Sequence, residues 1–234
     1  MRITYLSNSG FCVEVGDDYL VFDCHNPRGQ PALACETLRQ YRTVTVFISH
    51  SHGDHYARDI WKTENARFAA AFDIDVPSPY KGVCTSFRPG DATEINGLSV
   101  RAFGSTDEGV SFYVERGDVA LFHAGDLNDW HWRDEGGETF AREAEDAFLR
   151  ELTKIKAAKL KPIDMAFFPV DPRIGSDYYR GALLFAKAMR PKRFMPMHFG
   201  KTYAPPKTFI ADMAPYTKLL TPPAMGETIE TARP

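Results

Sequence analysis

The stretch that most limits what this chain can fold into is Val44–His55, V-T-V-F-I-S-H-S-H-G-D-H. Val44, Val46, Phe47 and Ile48 form an uncharged, β-branched and aromatic run of the kind found in strands buried on both faces of a covered sheet. The run ends abruptly in His50, His52, Asp54 and His55. In extended chain, residues two apart point to the same side, so the imidazoles of His50 and His52 share a face. Gly53 permits a sharp turn, and Asp54 and His55 come back toward the same point. Nitrogen and oxygen donors converging in this way suit a first-row metal, most naturally zinc. The chain holds 7 histidines in 234 residues, so three in so short a window do not read as a polar loop with chance histidines.

Other strand ends add candidates. Ile3–Leu6, Phe11–Val15 and Tyr19–Asp23 read as short strands parted by turn signals at Asn8-Ser9-Gly10 and Gly16-Asp17-Asp18, and Asp23 closes the third. Ala32–Tyr41 reads as a helix and Ala57–Lys62 as a short one, while residues 68–82 read as loop around Pro77, Pro79 and Gly82. Strands follow at Val83–Phe87, Thr93–Ile95, Leu98–Phe103, Val110–Glu115 and Val119–Phe122, the last delivering F-H-A-G-D with Asp126. Thr139–Lys159 carries a 3.6-residue apolar stripe and is the clearest helix. Ile163–Val170 reads as a buried strand, Tyr179–Met189 as a helix and Arg193–Met197 as a core strand that delivers His198. Residues 205–220 and a short strand at Glu227–Thr231 close one domain over 1–234.

S-H-S-H-G-D-H after a hydrophobic strand resembles the H-x-H-x-D-H signature of the metallo-β-lactamase superfamily, and the later anchors extend the resemblance over essentially the whole chain. It implies an α/β fold, a four-layer αββα sandwich. It implies metal ligation by His50, His52, Asp54, His55, Asp126 and His198, with Asp126 bridging two ions, and a supporting role for Asp23 beside a ligating imidazole. Zinc, as one or two ions, or manganese would be the cofactor. Hydroxide on the metal would attack an ester, lactone, amide or phosphoester of a small substrate, with Asp54 and Asp126 as the catalytic carboxylates. The nearest likeness is to small cytoplasmic hydrolases similar to ascorbate-6-phosphate lactonase.

One piece of the family pattern is missing. Members with a full two-metal site carry another histidine between the cluster and the bridging aspartate, where this chain reads A-F-G-S-T-D-E-G over Ala102–Gly109. Asp107, Thr106, water, or His131 from the D-W-H-W run are the candidate replacements. His25 is an outsider, and His123 is expected to point to the other face of its strand. Arg173, in F-P-V-D-P-R, is a candidate for binding a phosphate or carboxylate through its planar fork, against the plainer role of fixing its loop. Trp130 and His131 are candidates for the substrate wall, and Trp132 for wall or packing.

Composition narrows the alternatives. A net charge of −3 with no basic run argues against nucleic acid as a partner, and so against an RNA-processing nuclease. No apolar run reaches membrane-span length. The 4 cysteines show no C-x-x-C pairing and the N-terminus lacks an apolar signal core, so a cytoplasmic protein is expected. The competing class is a non-catalytic metal- or ligand-binding protein whose site has decayed.

Overall fold

The computed structural model describes residues 1–231; residues 232–234, the end of the domain expected over 1–234, lie outside the described residues. The chain first lays down β1 (Arg2–Ser7), β2 (Gly10–Val15), β3 (Asp18–Phe22), β4 (Thr43–Ile48), β5 (Ala66–Ala71) and β6 (Cys84–Phe87). The second sheet takes β7 (Ala92–Ile95), β8 (Leu98–Gly104), β9 (Val110–Arg116), β10 (Val119–His123), β11 (Met165–Pro169), β12 (Arg193–Met197) and β13 (Lys218–Leu219). β14 (Thr228–Glu230) then returns to pair with β1, giving the orders β14-β1-β2-β3-β4-β5-β6 and β13-β12-β11-β10-β9-β8-β7. Each sheet is mixed: β3 to β6 run parallel, as do β10 to β13, and the remaining pairs are antiparallel.

Aromatic side chains fill the space between the sheets. Phe47 of β4 meets Phe112 of β9 edge-on at 5.3 Å, and Phe11 of β2 meets Phe167 of β11 at 4.5 Å. The outer face of the second sheet is covered by α2 (Arg133–Ala157) and α3 (Arg180–Met189), through Phe148 and Phe185 against Phe168. The outer face of the first sheet is covered more thinly. There α1 is one turn, Cys35–Leu38, and the Arg58–Lys62 3-10 turn packs Trp61 on Phe68 at 4.6 Å. These four layers are the αββα sandwich.

Three local readings need correction. The helix expected over Ala32–Tyr41 shrinks to a 3-10 turn at Pro31–Leu33 and the four residues of α1. So short a helix is not stable by itself, and Tyr41 instead turns its ring onto Tyr19 at 4.5 Å. The loop expected from residue 68 begins with β5, whose A-R-F-A-A-A lacks β-branched residues; its strand state comes from parallel pairing on both sides. The helix expected from Thr139 starts at Arg133 with a break at Gly137, where φ is 76°.

The ends of β3, β4, β10, β11 and β12 fall at one edge of the sandwich, and the turn between β8 and β9 joins them. Hydrogen bonds across the edge lock the turns together: Val110 N donates to Ser49 O (2.9 Å) and His198 N to Asn8 O (3.1 Å). Gly109 makes the closest approach. With φ at 68°, a Cβ there would lie 1.9 Å from Ser49 O. Gly109→Ala is therefore expected to cost more than the ~1–3 kcal/mol of backbone strain alone. Gly16→Ala also sits at positive φ but meets nothing within 4 Å, and should cost about 1 kcal/mol. Urea denaturation of both variants tests this, and equal losses would refute the close-packing account.

Candidate metal centre

β4 ends at Ile48, and the next residues place His50 and His55 at full burial. β10 ends at His123, and Gly125, with φ at 53°, lets Asp126 turn inward beside Ser49. β12 delivers His198 at a left-handed φ of 59°, and Asp23 follows β3 at 42°. Such strained conformations in non-glycine residues persist where surrounding contacts determine them fully.

Two donor groups share Asp126: His50–His52–Asp126 and Asp54–His55–His198. The Asp126 oxygens divide between them. Oδ2 faces His50 Nε2 at 3.5 Å, while Oδ1 faces His55 Nε2 at 3.0 Å and His198 Nε2 at 3.6 Å. His50 Nε2 lies 3.1 Å from His52 Nδ1, and His198 Nε2 lies 3.5 Å from Asp54 Oδ2. Ligands bound at ~2.0–2.1 Å around a tetrahedral ion stand about 3.3–3.4 Å apart, so these spacings bracket that value.

The remaining ring nitrogens are engaged. His55 Nδ1 donates to Asp23 Oδ2 at 2.9 Å, and His198 Nδ1 to Asp171 Oδ2 at 3.0 Å; a carboxylate can only accept. Ser49 Oγ donates to Asp23 Oδ2 at 2.5 Å, which leaves it to accept from His50 Nδ1 at 2.9 Å. Each of these imidazoles therefore turns Nε2 toward the centre. Asp23 serves both groups, directly through His55 and through Ser49 for His50. Asn8 Nδ2 donates to the Asp54 carboxylate at 3.2 Å.

The charge balance asks for cations. His55 Nε2 and Asp126 Oδ1 are shut from solvent and make no hydrogen bond to one another. With Nδ1–H given to Asp23, a neutral His55 would aim its Nε2 lone pair at a carboxylate oxygen, a clash that a proton or a metal cation between them resolves. Burial opposes charge on His55, but Asp126 and Asp23 outweigh it and raise its pKa to about 10. His198 behaves likewise: burial lowers it, Asp171 and Asp54 overcome that, and it rises to about 9. Burial would raise Asp126, yet His55 and His198 hold its carboxyl below the ordinary range. His50, by contrast, is pushed down by burial and by His55, which leaves a neutral ring with a free lone pair. Two divalent ions fit these donors, and their binding would displace the protons that His55 and His198 otherwise hold.

Other expected residues fall in varied places. Asp107 lies beside the first group, its Oδ2 3.6 Å from His52 Nδ1. His131 stands apart as a correction: its ring is buried, with Nε2 at Asp177 O (3.4 Å) and Nδ1 accepting from Arg133 N (3.3 Å). A left-handed turn at Trp132 follows it, and His131 stands in neither donor group nor the lining of the cavity. His25 Nδ1 contacts Ser7 Oγ at 3.4 Å, outside both donor groups. His123 faces the space between the sheets, stacked on Phe22 at 5.0 Å and bonded to Ser9 O at 2.8 Å. Trp130 bonds Asp126 O at 2.8 Å through Nε1 and meets His198 edge-on.

A cavity of about 470 Å³ opens over the donors, lined by His52, Asp54, Asp126 and His198, by Trp130, Trp132 and Phe140, and by Thr106, Asp107 and Arg173. Arg173 is clamped by Asp171, which accepts from its Nε at 3.0 Å and its Nη2 at 2.6 Å. Arg173 Nη2 and His198 Nδ1, both donors, share that one carboxylate. Asp171, Ser49, Asn8 and Phe140 were missed from sequence. The D-P-R run was the only signal for Asp171, and it reads equally as a turn.

No family model matches the chain. A UPF0173 metal-dependent hydrolase of Ignicoccus hospitalis is 27% identical over 226 residues, spanning 88% of this chain and 84% of the relative. One from Opitutus terrae is 25% identical over 98% of this chain and all of its own length. Among solved structures, a metallo hydrolase from Ignicoccus hospitalis superposes with a TM-score of 0.68 at 23% identity, covering 99% of each chain. A metallo-β-lactamase fold protein from Bacillus subtilis gives 0.62 at 13%, covering 98% of this chain and 99% of its own. The chain has the metallo-β-lactamase fold and is similar over most of its length to metal-dependent hydrolases. The histidine cluster that resembles the signature of that fold's hydrolases sits where both donor groups meet.

The donor geometry predicts how metal content responds to substitution. His52→Ala with His55→Ala removes one imidazole from each group and should abolish stoichiometric zinc or manganese, measured by plasma emission. The fold should persist, since the aromatic core between the sheets does not depend on the ions. Full metal in the double variant would sink the ligand assignment.

Proposed function

We propose that this chain hydrolyses an ester, lactone, amide or phosphoester bond in a small anionic molecule, with zinc or manganese, as one or two ions, held by His50, His52, Asp54, His55, Asp126 and His198. The observation that carries the reading is the split of the Asp126 oxygens between two imidazole groups beside a cavity whose rim holds Arg173. Divalent ions in such a site supply Lewis acidity and a water-derived nucleophile at neutral pH. The chain's own groups do the rest. Asp126 fixes the spacing of the two groups. Asp54, kept ionised chiefly by its hydrogen bond to His198 and half exposed to the cavity, accepts a hydrogen bond from the attacking water and orients it. Asp23 and Asp171 hold the imidazoles in register.

Substrate selection falls to the cavity wall. Arg173 is 64% exposed along its side chain, and none of its bonds to Asp171 uses Nη1, which leaves donor capacity for a phosphate or carboxylate. Trp130, Trp132 and Phe140 supply apolar surface for the body of the substrate. A lactone or ester bearing an anionic group, as in the lactonase-like members, matches this pairing. One domain over 1–234 carries the whole site. All four cysteines stand as free thiols, which supports a reducing cytoplasmic setting.

Arg173→Ala should raise KM for a phosphorylated or carboxylated substrate by roughly tenfold, about 1.4 kcal/mol, with little change for neutral esters. An unchanged preference would assign Arg173 to holding its loop. The metal-loaded protein, assayed on generic ester, lactone and phosphodiester substrates, should turn over at least one class. Full metal with no turnover would favour the non-catalytic binding protein.

A further inference from the structure

The turn between β8 and β9 lacks the superfamily histidine, yet it is held firmly at both ends. Thr106 Oγ1 donates to Asn128 O at 2.5 Å and accepts from Asn128 N at 2.9 Å, tying the turn to the segment that follows Asp126. At the other end Gly109 presses on Ser49, and Val110 N bonds Ser49 O. Asp107 and Glu108 project between these anchors, and both address His52. Asp107 Oδ2 lies 3.6 Å from His52 Nδ1, and Glu108 Oε2 lies 3.4 Å from His52 Nε2.

His52 Nδ1 is the nitrogen that also faces His50 Nε2 at 3.1 Å, and Asp126 Oδ2 stands 3.5 Å from that same His50 atom. The contacts Asp126–His50, His50–His52 and His52–Asp107 thus form a chain with steps of 3.1–3.6 Å, in which the first three donors lie within 4.8 Å of one another and Asp107 stands next to His52 at their rim. The other side-chain candidates are engaged: the Thr106 hydroxyl is used in both directions by Asn128, and His131 and His25 make their contacts elsewhere.

Resting on the metal-centre reading above, we infer that Asp107 replaces the missing imidazole as a ligand of the His50–His52–Asp126 site, with Glu108 orienting His52 from its far nitrogen. The two groups then become chemically alike, each with two imidazoles, one carboxylate of its own (Asp107 or Asp54) and a share of Asp126. Three carboxylates against two divalent ions leave a smaller positive excess than the family's histidine-richer pattern. Oxygen ligands also suit manganese better than an added imidazole would. The inferred consequence is a second site that accepts manganese readily and holds zinc less tightly than a histidine-completed site.

Metal-free wild type, Asp107→Ala and Asp107→His are titrated with Mn²⁺, Zn²⁺ and Co²⁺. Calorimetry and plasma emission give stoichiometry, and Co²⁺ absorption with Mn²⁺ paramagnetic resonance gives ligand type and pairing. Wild type should bind two ions per chain with a coupled manganese signal. Asp107→Ala should keep one ion on Asp54–His55–His198, which reports an intact fold, and weaken the second by roughly 10- to 100-fold or more. Asp107→His should recover two ions, change the Co²⁺ spectrum and shift preference toward zinc. The inference is overturned if Asp107→Ala binds both ions with wild-type affinity, or if wild type binds only one; the metal centre itself then stands. Wild type binding no ion removes the centre and the inference with it.

Discussion

Asp126 is 3% exposed, with three imidazoles from two separate strand ends drawn around its two oxygens, and most of the architecture near the site serves to hold that arrangement. Placing a carboxylate in so dry a position costs several kcal/mol unless positive charge and hydrogen bonds compensate it. Compensation comes from His55 and His198, which are charged because Asp126 itself, with Asp23 behind His55 and Asp171 and Asp54 around His198, outweighs their burial. Desolvation would raise both carboxylates. His55, foremost through its hydrogen bond, keeps Asp23 at about 2, and His198 and Arg173 keep Asp171 at about 2. The centre is therefore an alternation of buried charges that closes once divalent cations share the middle.

The two sheets make this possible by giving the donors separate origins. Each sheet has a parallel half, and the ends of its parallel strands deliver side chains to one edge. The first sheet contributes Asp23 and the histidine cluster; the second contributes Asp126, Asp171 and His198. Phe47 on Phe112 and Phe11 on Phe167 fix the sheets against each other, so the distance across the site is set by the packing between the sheets.

Much of this was legible in the sequence where an apolar, β-branched run stops at a polar residue. That pattern located β4, β10 and β12 and the donors beyond them. It failed at β5, because an alanine-rich strand has no pattern of its own and is defined by its neighbours. At α1 it overran, since spacing alone does not measure how many turns tertiary packing sustains. The site was readable where residues cluster along the chain and obscure where the partner is remote. Asp171 meets His198 across 27 positions and Ser49 meets Asp23 across 26, and neither pairing has a local signature. His131 was misplaced for the same reason: its local context suggested the cavity, while the turn at Trp132 and the carbonyl of Asp177 direct it into the protein.

The central claim is that Asp126 bridges two cations, one oxygen to each donor group. Anomalous diffraction from crystals grown with manganese, with data on both sides of the manganese edge, tests it directly. Two peaks are expected astride Asp126, one bounded by His50 and His52 and the other by Asp54, His55 and His198. A single peak away from Asp126, or none within reach of its carboxylate, would contradict the account.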